Sequence, residues 1–355
     1  MFKHMGMWTW PDAVNAEDPA RMIERLRAAH IDMVIPYLCS RAGGAEKAAY
    51  EQRLQAIVEE AHRRGVQVHG CFDEINAYQA MPVYGLRQTY RDGAKNSSLC
   101  PANPEVIAYV LDELARYLRE FDFDGINLED GYVYHHSTIY DPAHTPGVDY
   151  RIEPVCYCDY CRAHAPLEKP EWLHWRQQRL TDLIAEEAKL IRRLRPGIPF
   201  SVAARMPYHA AFYAPYQAEI PYYSGWQCSQ SRDGFSADWL EWLERGHLDF
   251  VCPMSYHHDD RIVQLHTMEC QQLMPDARQR AWIGLGLSEV NAEYSTGKPA
   301  AADPAKKIYD PALLNDAQAI AGQLREQARL GQENCLFFSY AFLKDDHLPV
   351  IASFR

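Results

Sequence analysis

Two adjacent carboxylates follow a short apolar segment near the middle of this chain. The segment reads Phe123-Asp124-Gly125-Ile126-Asn127-Leu128-Glu129-Asp130-Gly131, which predicts a buried strand ending at Glu129 and then a glycine turn. Side chains alternate between the two faces of a strand, so Asn127 and Glu129 share one face while Ile126 and Leu128 share the other. Burying two carboxyl groups at a strand end costs desolvation energy, and we therefore predict a chemical role for Glu129 and Asp130.

Further carboxylates follow other strand-like segments. Asp73 and Glu74 end the third such segment, and Glu289 ends the seventh. Paired carboxyl groups can cleave a glycosidic bond when they flank it, one protonated as the general acid and the other ionised as nucleophile or base. A barrel would bring the ends of the third, fourth and seventh strands within range of one another. The chemistry therefore depends on whether the chain forms a barrel.

Strand-like segments alternate with amphipathic helical ones along the whole chain, which is typical of a parallel sheet. Eight strands are predicted, and Gly43-Gly44 does not match a dinucleotide-binding fingerprint. We therefore predict an α/β fold made of one (β/α)8 TIM barrel rather than a doubly wound open sheet, with residues 1–355 forming a single catalytic domain. The predicted strands are Phe2–Thr9, Met33–Tyr37, Val66–Phe72, Gly125–Glu129, Phe200–Ala204, Phe250–Tyr256, Trp282–Leu287 and Cys335–Ala341.

The predicted helices carry signals at their ends. Asp18-Pro19 and Asn103-Pro104 place a capping residue before a first-turn proline, and Gly65, Gly197 and Gly331 follow helix ends. The predicted helices are Pro19–Ala29, Lys47–Arg64, Pro104–Glu120, Glu171–Leu194, Ala237–Arg245, Arg261–Leu273, Pro311–Leu330 and Asp346–Ser353.

Four loops that leave strands are predicted to be long. They follow strands three, four, five and seven and cover approximately residues 73–103, 130–170, 205–236 and 288–310. Loops that leave the strands of a barrel lie on the face that carries active sites. Long loops in a compact domain are usually functional, so we predict the site on this face.

Aromatic side chains concentrate on the same face. Sugars bind by stacking an apolar face on a ring while polar side chains bind their hydroxyl groups. Packing would explain any single ring, because the chain has 22 tyrosines. Arg205, at the end of strand five, could bind a hydroxyl or carboxylate group or neutralise Glu129. The residues predicted to bind substrate are Trp8, Trp10, Tyr37, Asn127, Tyr132, Arg205, Tyr208 and Trp226.

A cysteine-rich segment lies in the long loop after strand four. Cys156, Cys158 and Cys161 are followed by His164, and three thiolates with one imidazole could form a tetrahedral zinc site. The spacing is more compressed than in most structural zinc sites, which pair two separated ligand pairs. Free thiols, a labile disulfide or plain loop packing are the alternatives. Any metal here is predicted to be structural rather than catalytic.

Composition limits the partners. The formal net charge of −12 argues against nucleic-acid binding, which requires a basic surface. No apolar run approaches the roughly 18 residues of a membrane helix, and the first strand follows Met1 too closely for a signal peptide. Ten cysteines scattered through strand-like segments favour a reducing cytoplasm. We predict a cytoplasmic protein with a carbohydrate substrate and neither nucleic acid nor membrane as a partner, and the sequence leaves a homo-oligomer open.

Two segments resemble parts of known glycosidase barrels. The segment from Phe123 to Asp130 is similar to their strand-four signature, in which Asp-Gly-Ile leads into a catalytic acid. A second segment, from Trp239 to Tyr256, resembles strand six of the same proteins. The closest resemblance is to the family-10-like glycosyl hydrolases. It implies a glycoside hydrolase whose main catalytic acid is Glu129 or Asp130, and strand alternation favours Glu129.

Chitinase-like barrels are a more distant resemblance. Their pattern Asp-x-x-Asp-x-Asp-x-Glu would fall on Asp124, Asn127, Glu129 and Gly131. Gly131 thus stands where their catalytic acid would lie, which argues against substrate-assisted N-acetyl chemistry. Met254 and Tyr256 match the Met-x-Tyr at the floor of the chitinase-like site and are therefore predicted to bind substrate.

The partner of the main acid is predicted to be Asp73, Glu74 or Glu289. No cofactor is required for such acid–base hydrolysis, so zinc in the cysteine-rich loop would serve structure alone. A non-catalytic carbohydrate-binding barrel is an alternative function. A metal-dependent hydrolase is disfavoured, because no His-x-His ends strand one.

Overall fold

A closed barrel of eight parallel strands forms the centre of the molecule, which confirms the predicted (β/α)8 fold. The computed structural model describes residues 1–9, 17–38, 44–134, 155–216, 230–257, 259–287 and 315–355. The barrel strands are β1 (His4–Thr9), β2 (Met33–Pro36), β3 (Gln67–Phe72), β6 (Gly125–Leu128), β7 (Phe200–Ala204), β8 (Phe250–Ser255), β9 (Ile283–Gly286) and β10 (Asn334–Phe338), and β4 (Arg87–Thr89) and β5 (Lys95–Leu99) lie outside the barrel. Each barrel strand pairs in parallel with the next, and β10 closes the barrel against β1.

Helices connect the barrel strands and several begin at the predicted caps. The side chain of Asp18 accepts a hydrogen bond from Ala20 N, and that of Asn103 accepts one from Glu105 N. Gly65, Gly197 and Gly331 adopt positive φ angles after helix ends. The main helices are α1 (Pro19–Ala28), α2 (Gly44–Arg63), α3 (Pro104–Glu120), α4 (Asp159–His164), α5 (Glu171–Leu194), α6 (Trp239–Glu244), α7 (Asp260–Leu273), α8 (Ala317–Arg329) and α9 (His347–Ala352), and short turns of helix lie at Ala210–Tyr213 and Ala277–Arg280.

The structure differs from the sequence prediction in three elements. The loop after β3 contains an antiparallel hairpin of β4 and β5, which the prediction missed. The last strand ends at Phe338 and the chain then turns through Tyr340–Phe342. The last long helix starts after its cap at Asp316, where the side chain accepts a hydrogen bond from Ala319 N. Within the described ranges, no helix combines the length and apolarity that crossing a membrane would require.

The predicted alternation of side chains along β6 is observed. Ile126 and Leu128 are fully buried in the apolar core. Asn127 is also fully buried but contacts other strands: Nδ2 donates to Ser201 Oγ on β7 at 2.9 Å, and Oδ1 accepts from Trp8 Nε1 on β1 at 3.1 Å. Since these partners lie on separate strands, Asn127 points into the barrel bore. Alternation then places Glu129, two residues further along, on the same side of the chain.

The first residue of β6 is a glycine because a histidine occupies the space beside it. A Cβ atom on Gly125 would lie 2.5 Å from the ring of His69, which is buried on β3. Burial lowers the pKa of His69 to about 4, so its ring is neutral at physiological pH. His69 is therefore a packed residue of the barrel interior.

We expect Gly125→Ala to lower the free energy of unfolding by about 1–3 kcal/mol, because the new methyl group would overpack the ring of His69. Urea denaturation measures the change. Gly85→Ala is the matched control, because a Cβ atom there meets nothing within 4 Å. Equal stability of the two variants would contradict this packing argument.

Candidate active site

A pocket opens at the carboxyl ends of the barrel strands. Its volume is about 280 Å³ including the open mouth. The lining comes from several strands and their C-terminal ends, so the closed barrel assembles it from residues that are far apart in sequence. The lining residues are Trp8, Thr9, Ile35, Tyr37, Cys71, Glu129, Ala203, Met254, Tyr256 and Phe338.

Glu129 lies on this face, directly after the end of β6. It lines the first pocket and also a second one of about 240 Å³. Its backbone N–H donates to Phe72 O at 3.0 Å, and Gly131 N donates to its Oε2 at 3.1 Å. Burial raises the pKa of Glu129 well above its ordinary value, and the negative charges of Asp130 and Asp73 raise it further. Glu129 is therefore a carboxyl group with raised proton affinity at the mouth of the barrel.

Asp130 is held as an ion pair in the second pocket. Arg205, just after β7, places Nη2 at 2.6 Å from Asp130 Oδ2, and its guanidinium lies 4.6 Å from the centre of the Phe235 ring. An adjacent cation stabilises the ionised form of a carboxyl group. Burial and the charge of Asp130 raise the pKa of Glu129, whereas the cation of Arg205 favours the ionised form of Asp130, so the proton affinities of the two carboxyl groups are pushed apart. Glu129 and Asp130, the two alternatives predicted for the main acid, are thus brought together with Arg205.

Asp73 is a third carboxyl group at this face. It is buried at the end of β3, where the hydroxyl of Tyr37 and Asn76 Nδ2 both donate to its Oδ2, the latter at 2.7 Å. Burial raises the pKa of Asp73 to about 7, although these two hydrogen bonds oppose the shift. Its Oδ1 has no hydrogen-bond partner among the described residues.

Gly131 has no room for a side chain. A Cβ atom there would lie 2.7 Å from both Asp73 Oδ1 and Asn76 Nδ2. The position at which chitinase-like barrels carry an acid is thus closed by groups from the end of β3. In this chain the neighbouring carboxyl group comes from Asp73 instead.

Aromatic rings surround the first pocket. Trp8 is oriented by its hydrogen bond to Asn127, and its ring meets Phe338 edge-on with centroids 6.4 Å apart. Tyr256 stacks on Phe338 with centroids 4.8 Å apart. Met254 lines the same pocket. Flat apolar walls next to carboxyl groups suit the apolar face of a sugar ring.

Two residues predicted to bind substrate have other roles. Asn127 is fully buried below the pocket, where its side-chain amide forms hydrogen bonds with Trp8, Ser201 and Cys252. Tyr132 turns its hydroxyl away, donating to Glu187 Oε1 on α5 at 2.8 Å. The polar groups of both side chains are therefore hydrogen-bonded within the protein, and Tyr132 also lines the second pocket.

Tyr208 and Glu74 lie away from the two pockets. The ring of Tyr208 packs against Tyr213 and His266, and its backbone N–H lies 3.3 Å from Glu269 Oε2 on α7. Glu74 accepts a hydrogen bond from Tyr109 on α3 at 2.7 Å and so faces the helix layer. Glu74 lies in the turn that follows β3, and this turn directs its side chain towards α3 while Asp73 faces Tyr37.

The remaining predicted residues cannot be compared with the structure. Trp10, Trp226 and Glu289 lie outside the described residues, as does the predicted loop 288–310.

The cysteine-rich loop forms a compact cluster with one unpredicted member. The sulfur atoms of Cys156, Cys158 and Cys161 lie within 4.8 Å of one another and of Cys100 Sγ. His164 is not part of the cluster: it is exposed, its Nδ1 lies 2.8 Å from Tyr160 O, and its ring stacks on Tyr160. The cluster thus contains Cys100 and not His164, the predicted fourth ligand, because the ring of His164 on α4 lies against Tyr160.

Sequence reasoning missed several residues of the site. Phe338 is an aromatic residue at the end of the eighth barrel strand and lines the first pocket. The same reasoning that predicted Trp8, near the end of the first strand, as a substrate-binding residue applies to Phe338. Asn76 follows Asp73 by three residues, a spacing typical of a local side-chain contact. Cys100 has no such signal, because it lies 56 positions before Cys156 in the chain.

The buried pair of Tyr132 and Glu187 makes stability depend on pH. Burial raises the pKa of Glu187 to about 8, whereas an unfolded glutamate has a pKa of about 4.3. Between these values the folded protein holds a proton that the unfolded chain has lost. The contribution of Glu187 to the free energy of unfolding therefore falls as pH rises, by at most about 1.4 kcal/mol per pH unit.

We expect Glu187→Gln to remove this dependence, so that the variant gains stability relative to wild type as pH rises from about 5 towards about 8. Urea denaturation at several pH values measures the difference. Glu186→Gln, at a neighbouring position that pairs with Lys189 on the surface, is the control. A stability difference that stays constant with pH would rule out a buried protonated Glu187.

Sequence comparison links the chain to glycosyl hydrolases. The family model "Glycosyl hydrolase-like 10" matches residues 37–300. The curated protein "Glycosyl hydrolase DigH" of Escherichia coli (strain K12) is 24% identical over 272 residues, which are 71% of this chain and 56% of that protein. The chain thus spans little more than half the length of the curated relatives it matches.

Solved structures share the barrel. The PgaB (BpsB) glycoside hydrolase domain from Bordetella bronchiseptica has a TM-score of 0.60 at 13% identity, covering 98% of this chain and 96% of that chain. A class V chitinase from Pseudomonas fluorescens has a TM-score of 0.52 at 12% identity, covering 99% and 98%. At such low identities the likeness establishes the fold alone.

Proposed function

Because the chain belongs to the glycosyl hydrolase-like 10 family, we propose that it is a glycoside hydrolase in which Glu129 donates the proton that releases the leaving sugar. The family and the barrel fold both support glycosyl hydrolase function. The observation that carries the more specific proposal is the position of Glu129. Its half-buried carboxyl group, with a raised pKa, borders a ring-walled pocket and lies next to the ion pair of Asp130 and Arg205.

In the proposed reaction the glycosidic carbon–oxygen bond breaks and its electron pair stays on the leaving oxygen. That oxygen takes the proton of Glu129. The ionised Asp130, held by Arg205, stabilises the positive charge that develops on the sugar and accepts a proton from the water that supplies the new hydroxyl group. Transfer of that proton back to Glu129 restores the starting state.

Asp73 supports the pair from the neighbouring strand end. Its charge adds to the repulsion that keeps Glu129 protonated, and its hydrogen bond holds Tyr37 at the pocket wall. The wall of Trp8, Tyr256 and Phe338 would stack against the sugar. The substrate class proposed is accordingly an oligosaccharide that presents an apolar ring face to this wall.

The role of Glu129 as proton donor predicts a dependence on the leaving group. A nitrophenolate leaves with little protonation, whereas a sugar oxygen needs an acid. For Glu129→Gln we expect kcat to fall by about 10²–10⁴-fold on a disaccharide, but much less on the 4-nitrophenyl glycoside of the same sugar. A panel of 4-nitrophenyl α- and β-glycosides tested with wild-type protein selects the sugar.

Two further variants complete this experiment. Asp130→Asn should lose activity on both substrates, because its charge acts whatever group leaves. Glu74→Gln is the matched control: the residue lies at a strand end like Asp73 but faces α3 and can keep its bond to Tyr109. Equal losses on both substrates for Glu129→Gln would exclude the proton-donor role. Sugar binding on a glycan array without turnover of any substrate would instead indicate a carbohydrate-binding barrel.

The Arg205 cation should set the alkaline limit of activity. Its charge lowers the pKa of Glu129 and partly offsets the effects of burial and of Asp130. We expect Arg205→Met to raise that pKa and so move the alkaline limb of the kcat/KM profile to higher pH, besides lowering the rate. Arg179→Met, which removes an arginine paired with Asp182 on α5, should leave the limb in place. A shift to lower pH would show that another group governs this limb.

A further inference from the structure

The four sulfur atoms of Cys100, Cys156, Cys158 and Cys161 have the spacing of a metal-thiolate site. All lie within 4.8 Å of one another, and Cys100 Sγ is 3.5 Å from Cys161 Sγ. A zinc ion with Zn–S bonds of about 2.3 Å separates its ligand sulfurs by about 3.8 Å in a tetrahedron. A disulfide would need about 2.05 Å. The cluster is therefore too wide for disulfides and has the width of a zinc site.

Backbone donors point at one of these sulfur atoms. Thr89 N lies 3.3 Å and Cys158 N 3.4 Å from Cys156 Sγ. Hydrogen bonds from backbone N–H groups are stronger to a charged acceptor than to a neutral one. The surroundings of Cys156 are thus suited to a thiolate.

A buried cation lies beside the cluster. Only 5% of the surface of Arg176, on α5, is exposed, and its guanidinium is close enough to Cys161 to interact electrostatically. Its Nη1 donates to Val155 O at 3.1 Å, and its guanidinium lies over the ring of Trp172. Among the described residues no carboxylate forms an ion pair with it, and its Nε has no hydrogen-bond partner. A buried guanidinium is costly without a neighbouring negative charge.

We propose that Cys100, Cys156, Cys158 and Cys161 bind one zinc ion in a closed structural site. Each thiol loses its proton to solvent on binding, so the four thiolates leave the site with a net negative charge after the two positive charges of Zn²⁺ are counted. This charge would compensate Arg176. Because protein sulfurs fill all four positions, the ion has no open position for substrate and serves structure rather than catalysis.

The zinc site would link two loops at the mouth of the barrel. Cys100 follows the hairpin in the loop after β3, whereas the other three cysteines belong to the loop after β6. The two loops also meet through a backbone bond, with Tyr157 N donating to Thr89 O at 2.8 Å. Gln88 Nε2 donates to Val133 O at 2.8 Å, and Val133 lines the second pocket, which also contains Glu129. Zinc would thus hold the hairpin against one wall of the candidate active site.

Metal analysis of the full chain, purified under reducing conditions without a metal-binding tag, tests the proposal. We expect about one zinc ion per chain by mass spectrometry of the metal content. Cys100→Ser should reduce it several-fold, whereas His164→Ala and Cys335→Ser should retain it. Cys335 is a buried free thiol on β10, outside the cluster, and controls for the loss of any thiol.

Cobalt substitution gives a second measurement on the unaltered chain, in case Cys100→Ser does not fold. We expect cobalt(II) added to metal-depleted protein to give the ligand-field and thiolate charge-transfer bands of a tetrahedral sulfur site, and zinc to displace it. Removing the metal should also raise hydrogen exchange in residues 87–99 and 155–161. Wild-type protein that contains no zinc and takes up neither zinc nor cobalt at equimolar concentration would overturn the proposal. Loss of metal in His164→Ala but not in Cys100→Ser would overturn the ligand set.

Discussion

The buried amide of Asn127 is the contact on which the geometry of the mouth depends. A polar side chain inside the barrel must find partners, because leaving its groups unsatisfied costs free energy. Asn127 finds them on β1, β7 and β8 through Trp8, Ser201 and Cys252. Together with the backbone pairing of β6 to β3 and β7, these bonds hold the strand in register and so help to place Glu129 above the packed bore. They also orient the indole that forms one wall of the pocket.

Above this layer, three carboxyl groups share a small volume and their proton affinities are set by their surroundings. Burial and mutual repulsion raise the pKa of Glu129, whereas Arg205 compensates the charge of Asp130. Asp73 occupies the space next to residue 131, which is why that residue is glycine. Two neighbouring carboxyl groups in different electrostatic surroundings thus follow from the packing of two adjacent strand ends and one arginine from the next strand.

The loops on this face are organised by contacts between segments distant in sequence. The hairpin after β3, the cysteine-rich loop after β6 and α5 meet at the cysteine cluster, where Arg176 and the sulfur atoms lie together. The barrel core does not depend on these loop contacts, since pairing between neighbouring strands closes the barrel. Long rim loops bury less apolar surface, so they depend more on specific contacts to keep a single conformation.

The sequence by itself determined the barrel, the eight strands and their order, because two-residue and 3.6-residue periodicities and capping signals are local properties of the chain. It also determined that Glu129 points inward, since alternation along β6 requires it. Tertiary structure alone decided which side chains meet. The hydroxyl of Tyr132 donates to Glu187 on α5, and Cys100 joins the sulfur cluster in the position predicted for His164. Local patterns do not predict these contacts, because the partners are 55 or more residues apart in the chain. Local periodicity specifies the face on which a residue lies, and only the folded packing specifies the partner it meets there.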